Sequence, residues 1–495
     1  MASAHVRVVA ALLAATSVAH GSAKAQLRPE SAPGPNQTGA AYTVSLGSIA
    51  APRFTVKAEI PLRDDTLWVA QSWPCDLEAL CDQGWPLLIR DLRVMDAAGP
   101  RLATESIGAK GWIVRGNHSG RLLLEYAVDY DSLADNGWPA PREAAFSDGA
   151  ALFTIGRPLF VGGRTEGPAR VVFNLPPGIH VATPWLRDTA AVRGFTVPTF
   201  DALVDNGFVL REHPSTPIMA GRFSMELALF GRWREQRELV TRLMHAHLVT
   251  FTRLLGFDDD GAYLAVFLED PDMGGESFRS THALSADPSS APATWGRLIG
   301  HEVFHYWNGQ RLRGADYTTS QWFQEGMSEY YAILSMARNG FITPEGALAE
   351  LSRHLRAHRG FARSLAASGN RKDRGFYGTA TLVAFILDVK IRDATSERHS
   401  LDELMRQMWT TFGAVDRPYT QADVLEAGRV IAGIDLAPFF HIHIEGDLPL
   451  PLDAVLPLVG LRLERNADGE ESLVEDSAAP RHLQDRWRSL IGGRD

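Results

Sequence analysis

The segment from His301 to His305, with the sequence HEVFH, contains the side chains of this 495-residue chain best suited to bind a metal ion. His301 and His305 are four positions apart, so on a helix their imidazoles lie on one face, a turn apart, and can share one cation. Glu302 projects toward the same cleft, where it can take a proton from water without being a ligand. The spacing therefore predicts a metal site with an adjacent general base.

A catalytic zinc site needs a third protein ligand and one position left open. Glu325, separated from His305 by nineteen residues, lies in a second segment with helical periodicity. Glu329 is four residues further along the same helical face, and we expect it to accept the second N–H of His301 and so fix its tautomer. The sequence thus predicts one Zn²⁺ ion held by His301, His305 and Glu325.

Two helices must position these residues. Ser290 and Pro292 are typical of a helix start, and apolar residues recur at helical spacing from there to His305. The second helix is predicted to begin at Ser320 and to stop at Gly340. The connection between the two is long enough for the second helix to fold back beside the first.

The predicted secondary structure of the chain changes from strands to helices near residue 233. Short β-type runs with period-2 alternation, separated by turn residues, occupy residues 41–230. Helical periodicity dominates afterwards, interrupted by a predicted strand, AYLAVFLE, at residues 262–269. The predicted divisions are a signal peptide at 1–25, a β-rich domain at 26–232, a catalytic domain at 233–340, a helical domain at 341–465 and a polar tail at 466–495.

Composition limits the possible partners. The length allows roughly three domains, and 45% hydrophobic with 22% charged residues is ordinary for a soluble globular protein. The formal net charge is −10 and no basic stripe is present, which excludes nucleic acid as a partner. No stretch has eighteen uninterrupted apolar residues, so we expect no membrane span.

The first 25 residues are typical of a secretory signal. Arg7 precedes an apolar run at residues 8–19, and Ala23-Lys24-Ala25 fits a small-residue cleavage site. We expect cleavage after Ala25 and a periplasmic or secreted protein; a short N-terminal core helix is the alternative. In an oxidising compartment Cys75 and Cys81 could close a small disulfide loop, and two free buried thiols remain the other possibility.

The segments HEVFHYWNGQRLR and WFQEGMSEYYA together resemble the glycyl aminopeptidase family of the gluzincin clan, whose fold is thermolysin-like. The likeness extends to FYGTATLVAFILDVKIR at residues 376–392 and to the β-rich first half. It implies an α+β protein with a β-rich N-terminal domain, a thermolysin-like zincin catalytic domain and a C-terminal α-helical domain. The matching residues are His301, Glu302, His305, Trp307, Asn308, Arg311, Arg313, Trp322, Glu325, Gly326, Tyr330 and Tyr331.

The resemblance also implies roles for residues outside these two segments. Tyr377 matches the tyrosine that stabilises the oxyanion in the wider clan, although an aromatic residue packing at a helix start is the ordinary alternative. In MGGESFRST, Glu276 matches the glutamate that binds the free α-amine of the substrate, with Gly274 and Gly275 beside it as substrate-binding residues. The neighbours of Glu276 depart from the family pattern, so a loop-capping role stays open.

Other clusters of metal-binding residue types have simpler interpretations. His354 and His358 lie among arginines, which favours a solvated basic helix face. His441 and His443 have no third ligand nearby in the sequence and are interpreted as satisfied, partly buried histidines. The acidic segment at 258–261 lacks the alternating spacing of a calcium loop and is interpreted as a turn.

The function predicted from these observations is an exported zinc metallopeptidase. The resemblance implies an aminopeptidase that acts on peptides with small N-terminal residues. Two alternatives remain: a zinc endopeptidase that does not recognise the amino terminus, and a zinc-stabilised peptide-binding protein without catalysis. The intact Glu302 argues against the last, since a binding protein has no need of a base there.

Overall fold

β-Strands make up most of the first half of the protein, as the alternation of the sequence predicts. The computed structural model describes residues 39–50, 52–70, 84–130, 141–163, 167–214, 217–256 and 261–492. The predicted signal peptide, Cys75, Cys81 and the acidic residues 258–260 lie outside the described residues, so the predictions made for them stay predictions.

The period-2 pattern of the N-terminal strands has a direct structural cause. In the strand Arg53–Pro61, Phe54, Val56, Ala58 and Ile60 are buried while the residues between them face solvent, because successive side chains of a strand point to opposite faces. The strands of this half are β1 (Ala40–Leu46), β2 (Arg53–Pro61), β3 (Thr66–Trp68), β4 (Ile89–Asp96), β5 (Arg101–Ser106), β6 (Gly111–Arg115), β7 (Arg121–Asp129), β8 (Ala145–Ser147), β9 (Ala151–Ile155), β10 (Ala169–Asn174), β11 (His180–Ala182), β12 (Leu186–Asp188), β13 (Gly194–Val197) and β14 (Gly207–Arg211).

These strands form two sheets that share one core. The larger sheet has the order β12-β13-β10-β1-β2-β7-β4-β5-β6-β3, and the smaller has the order β11-β14-β9-β8. Pairing is antiparallel apart from β1, which runs parallel to β10. Aromatic side chains from both sheets meet in the shared core, where the rings of Phe54 and Phe208 are 6.2 Å apart.

A third sheet joins the β-rich half to the helices. Its strands are β15 (Ile218–Ala220), β16 (Phe223–Leu229), β17 (Ala262–Glu269), β18 (Gly274–Ser277) and β19 (Thr281–Ala286). They are arranged in the order β15-β16-β17-β19-β18, which puts β18 at an edge.

The central strand β17 is apolar along almost its whole length because both of its faces are covered. Leu264, Val266 and Leu268 belong to the core of the β-rich half. Tyr263 and Phe267 on the other face pack with the helices. A strand buried on both faces has no polar face to alternate with the apolar one, which explains the continuous apolar run AYLAVFLE.

Helices build the second half of the protein. They are α1 (Phe200–Val204), α2 (Arg237–Leu255), α3 (Pro292–His305), α4 (Tyr317–Arg338), α5 (Pro344–His358), α6 (Arg374–Ala394), α7 (Leu401–Thr411), α8 (Gln421–Ala432), α9 (Ala437–Phe440), α10 (Leu452–Val455) and α11 (Arg481–Gly492). Short 3-10 turns lie at Trp85–Leu88, Gly108–Lys110, Pro141–Glu143, Gly231–Arg234, Gly413–Val415 and Leu456–Val459, and a π turn spans His441–Glu445. Within the described residues, no helix is long and apolar enough to cross a bilayer.

The two helices predicted to carry the metal site are present, and Pro292 lies in the first turn of α3 as predicted, but the N-cap residue of each helix differs from the predicted one. Helix α3 has Ala291 rather than Ser290 at its N-cap, and Ser290 Oγ donates to the Asp287 carbonyl instead. Helix α4 is capped by Asp316, whose side chain accepts from the Thr319 N–H, so it begins one turn before Ser320. A carboxylate is as good an N-cap acceptor as a hydroxyl, and sequence alone does not choose between neighbouring candidates.

The segment at 466–495, interpreted from sequence as a polar tail, is folded over most of its length. Strand β20 (Leu461–Arg465) pairs with β21 (Glu471–Glu475), and α11 follows. Trp487 is 0% exposed and packs in the helical core with Leu490. Apolar residues are few in this segment but recur on one face of α11, which is enough to dock a single amphipathic helix.

We expect Trp487→Ala to lower the free energy of unfolding by about 3 kcal/mol, because it leaves a large cavity under α11. Arg481→Ala is the matched control, since the Arg481 side chain is 91% exposed and its loss should change stability by less than about 0.5 kcal/mol. Urea unfolding followed by circular dichroism measures both. Equal stabilities of the two variants would show that α11 does not contribute to the core.

Candidate active site

Helix α3 presents the two histidines to a cavity as the four-residue spacing predicts. His301 and His305 are one turn apart, and their Nε2 atoms are 3.0 Å from each other. The opposite face of the helix carries Trp295, Ile299 and Val303 into the core. Burial of this apolar face fixes the rotation of α3 about its axis, and so aims both imidazoles at the same point.

Helix α4 supplies the third side chain. Glu325 Oε2 lies 3.2 Å from His301 Nε2 and 3.4 Å from His305 Nε2. Two nitrogens and an oxygen around a tetrahedral zinc ion, each about 2.0–2.1 Å from it, are separated by about 3.3 Å. The three atoms therefore already have the mutual spacing of ligands to one cation, and these residues could hold one.

The outer nitrogens of the two imidazoles are fixed by hydrogen bonds. His301 Nδ1 is 3.0 Å from Glu329 Oε2, and His305 Nδ1 is 2.9 Å from the Asn308 carbonyl oxygen. Both Nδ1 atoms therefore donate, and both Nε2 atoms face Glu325. With an ion in place of any Nε2 proton, two imidazoles and one carboxylate would form a donor set that suits Zn²⁺, and hydrogen-bonded outer nitrogens are typical of such sites.

The surroundings of the histidines favour positive charge. Burial alone would lower the pKa of His301, but hydrogen bonds to Glu325 and Glu329 and the charge of Glu302 raise this pKa to about 10. Burial alone would raise the pKa of Glu325, yet Lys372 and the histidines hold it well below its usual value. The carboxylates are thus ionised and stabilise a cation at this place.

Glu329 is also the centre of a buried network. Its Oε1 accepts a hydrogen bond from Arg297, lies 3.1 Å from Arg353 Nη2 and lies 2.9 Å from His354 Nε2. The prediction that His354 and His358 lie on a solvated face is wrong, since their exposures are 2% and 5%. His354 is turned inward as a partner for the buried charge of Glu329, and His358 Nδ1 lies 2.9 Å from Thr379 Oγ1, whereas the arginines of α5 remain exposed.

Lys372 holds the other oxygen of Glu325, and sequence reasoning missed it. Its Nζ is 2.6 Å from Glu325 Oε1 and 3.0 Å from Gln321 Oε1. Burial would lower the pKa of Lys372, but the charge of Glu325 raises it well above its usual value. No local motif marks this lysine, because it lies in the loop before α6 and reaches the site only through the tertiary fold.

Glu302 is oriented by the edge strand β18. Ser277 Oγ donates a hydrogen bond to Glu302 Oε2 at 2.7 Å. Gly275 lies directly against the carboxyl group, so that a Cβ there would be only 2.0 Å from Glu302 Oε1. Gly275 therefore leaves the space that the Glu302 carboxyl group occupies against β18. Ser277 was not predicted from sequence, although it follows Glu276 in the same strand.

A cavity of about 900 Å³ opens in front of these residues. Tyr377 and Glu276 line it, as does Gly275, whereas the neighbouring Gly274 packs against Arg142. The Tyr377 ring centroid is 6.2 Å from that of His301. Burial and the charge of Glu325 raise the pKa of Tyr377 far above its usual value, so its phenol is a neutral hydrogen-bond donor.

Glu276 faces the cavity in a mixed electrostatic environment. Its pKa is raised to about 7, chiefly by burial, which the nearby charge of Arg157 partly opposes and that of Glu143 reinforces. Arg157 Nη1 is 3.8 Å from Glu276 Oε1 and also pairs with Asp205. Arg157, Glu143 and Asp205 come from the β-rich half, so both halves of the protein line the cavity.

The remaining histidine pair does not converge on a common point. His441 is exposed rather than partly buried as predicted, and its Nδ1 lies 3.2 Å from Glu445 Oε2. His443 is half-buried and hydrogen-bonds the Leu448 carbonyl oxygen. The π turn at His441–Glu445 directs the two imidazoles to different partners.

Comparison with protein families identifies the chain. The family model described as M61 glycyl aminopeptidase matches residues 295–372, which include the three converging side chains. The model of the M61 N-terminal domain matches residues 41–210, and the two matches together span half of the chain. This chain belongs to the M61 glycyl aminopeptidase family. Membership confirms the prediction of a gluzincin, and with it the prediction of a zinc metallopeptidase.

Solved structures confirm the fold class. An aminopeptidase N family protein from Idiomarina loihiensis has a TM-score of 0.72 at 19% identity, over 86% of this chain and 79% of that chain. A mutant M1 zinc metallopeptidase from Deinococcus radiodurans, bound to a Tyr-Ser-Ala substrate, has a TM-score of 0.56 at 17% identity, over 84% of this chain and 95% of that chain. No curated protein sequence matches this M61 chain. The predicted α+β arrangement with a zincin domain is therefore present.

We expect Glu329→Gln to weaken Zn²⁺ binding by about 10- to 100-fold, because the neutral amide no longer balances the charge that a cation places on His301. Competition with a chromogenic chelator measures this affinity. Glu426→Gln is the matched control, since that carboxylate is 57% exposed and pairs with Arg429. Equal affinities of the two variants would remove Glu329 from the metal centre.

Proposed function

We propose that this M61 protein is an exported zinc aminopeptidase that removes small residues from the amino termini of peptides. The observation that carries the proposal is the convergence of His301 Nε2, His305 Nε2 and Glu325 Oε2 within 3.0–3.4 Å of one another beside Glu302. His301, His305 and Glu325 would hold the ion. When bound, zinc supplies Lewis-acid polarisation of the scissile carbonyl and lowers the pKa of a water molecule.

The other groups carry the proton transfers and stabilise charge. Glu302, held by Ser277, accepts a proton from the attacking water and delivers it to the leaving amine. Its fixed orientation matters because a general base must lie within hydrogen-bond reach of the proton it takes. Tyr377 donates its O–H to the oxygen that becomes negative in the transition state, and its high pKa keeps that proton in place.

Glu276 supports cleavage at the amino terminus. A carboxylate on the cavity wall can pair with the α-ammonium of a peptide and so fix its first residue beside Glu302. The related M1 metallopeptidase structures contain the tripeptide Tyr-Ser-Ala, tryptophan or arginine, which supports a short peptide as the substrate. The small-residue preference rests on the family, and export rests on the leader with Arg7 and the Ala25 cleavage site.

Glu302→Gln should retain one Zn²⁺ per chain and lose peptide hydrolysis, because the amide preserves shape and the contact with Ser277 but cannot accept the proton. We expect kcat to fall by at least about 10²-fold. Metal analysis and an assay with Ala-Ala-Ala measure the two properties. Unchanged hydrolysis in this variant would exclude Glu302 as the base. If the zinc-loaded wild type did not hydrolyse the peptide, the alternative of a peptide-binding protein without catalysis would be favoured.

The KM for Ala-Ala-Ala should rise as the pH falls through about 7, because Glu276, with its pKa of about 7, becomes neutral and loses its attraction for the ammonium. The substrate amine itself loses its charge above about pH 8, so the lowest KM is expected between these values. Glu276→Gln should raise KM about tenfold or more at pH 7.5 and should abolish the rise in KM as the pH falls through about 7.

Nα-acetylated Ala-Ala-Ala is the control for amine recognition, since it lacks the charge that Glu276 would bind. We expect no cleavage of the acetylated peptide. Cleavage of the free and acetylated peptides at equal rates would reject the aminopeptidase assignment and favour an endopeptidase with the same zinc chemistry.

A further inference from the structure

The two oxygens of Glu325 have different partners, and this asymmetry depends on one residue. Oε2 faces the two imidazoles, at 3.2 and 3.4 Å. Oε1 is turned away from them and lies 2.6 Å from Lys372 Nζ. A carboxylate can bind a metal through one oxygen or through both, so the partner of Oε1 decides whether the second oxygen is free to bind.

Lys372 is held in place from several sides. Its ammonium also donates to Gln321 Oε1 at 3.0 Å and lies 5.9 Å from the Tyr317 ring centroid. Gln321 in turn donates to Gln324, so the acceptor is itself fixed. The Lys372 side chain is 27% exposed, which distinguishes this ion pair from the solvated pairs that contribute little.

The backbone that carries Lys372 is anchored as well. The next residue, Asp373, caps α6 by accepting the Phe376 N–H at 2.9 Å. Asp373 also pairs with Arg363 Nη2 at 2.8 Å, and Arg363 contacts the Arg371 carbonyl oxygen at 2.9 Å. The loop before α6 therefore presents the ammonium at a defined place, on the same short segment that leads to Tyr377.

We propose that Lys372 is a positioning residue that keeps Glu325 a one-oxygen ligand and so preserves an open position on the metal. The proposal rests on the proposed function, in which His301, His305 and Glu325 hold the ion. A catalytic zinc site needs that open position for water and substrate. A charge-assisted hydrogen bond from the ammonium satisfies Oε1 and orients the carboxylate plane. Without it, Oε1 would be free to bind the same ion as Oε2.

Cobalt substitution tests the proposal, because the visible absorption of Co²⁺ reports its coordination number. The wild type, Lys372→Met, Lys372→Arg and Arg371→Met are each loaded with Co²⁺ alone, without peptide. We expect one Co²⁺ per chain in all four. The visible absorption of Lys372→Met should fall by about half or more, because coordination by both oxygens of Glu325 raises the coordination number.

Kinetics of the zinc-loaded proteins give a second measurement. We expect kcat of Lys372→Met to fall about tenfold or more while KM changes by less than about twofold. The reason is that the substitution removes an interaction that orients the metal ligand and does not remove an interaction that binds the peptide. Lys372→Arg should recover most of the absorption and most of kcat. Arg371→Met, which removes the neighbouring exposed cation, should match the wild type in both measurements.

The outcomes separate this proposal from the function on which it rests. A wild type that binds no Co²⁺ would overturn the proposed function. A wild type that binds Co²⁺, together with an unchanged spectrum in Lys372→Met, would overturn the role of Lys372 alone. Should Lys372→Met be insoluble, Lys372→Ala, which also removes the donor to Glu325 Oε1, is expected to show the same spectral change; no change there would equally reject the proposal.

Discussion

The approach of helix α4 to helix α3 is the constraint on which the site depends. It brings Glu325 within 3.4 Å of two imidazoles that lie nineteen or more residues away in sequence. The contact of α4 with α6 sets this position, because Gly326 packs so closely that a Cβ would be 2.4 Å from the Ala380 carbonyl oxygen. Since α6 also carries Tyr377, one close helix contact positions both the third ligand and the proposed oxyanion donor.

Buried charge in this region is balanced locally. Glu325 and Glu329 are each almost fully buried, and unpaired carboxylates there would be strongly destabilising. Lys372 compensates the first, and Arg297 with Arg353 compensates the second. The same ion pairs orient the groups that face the cavity, so charge balance and site geometry have one structural origin.

The β-rich half contributes to the site as well as to the fold. The edge strand β18 lies against Glu302, and Arg157 from the β-rich half reaches Glu276 on that strand. The third sheet makes this possible, because the β-rich half covers one face of β17 and the helices cover the other. The position of Glu276, the proposed partner of the substrate amine, therefore depends on contacts between the two halves, whereas His301, His305 and Glu325 all come from the helices.

The local features of the site can be predicted from the amino-acid sequence: His301 and His305 on one helical face, Glu302 beside them, and Glu325 and Glu329 on a second helix. These follow from helical periodicity, which short stretches of sequence encode directly. Three contacts follow only from the packing of separate elements: Ser277 with Glu302, Lys372 with Glu325, and His354 with Glu329. Those contacts join residues from separate elements, and no local spacing specifies which distant side chains meet when the helices pack.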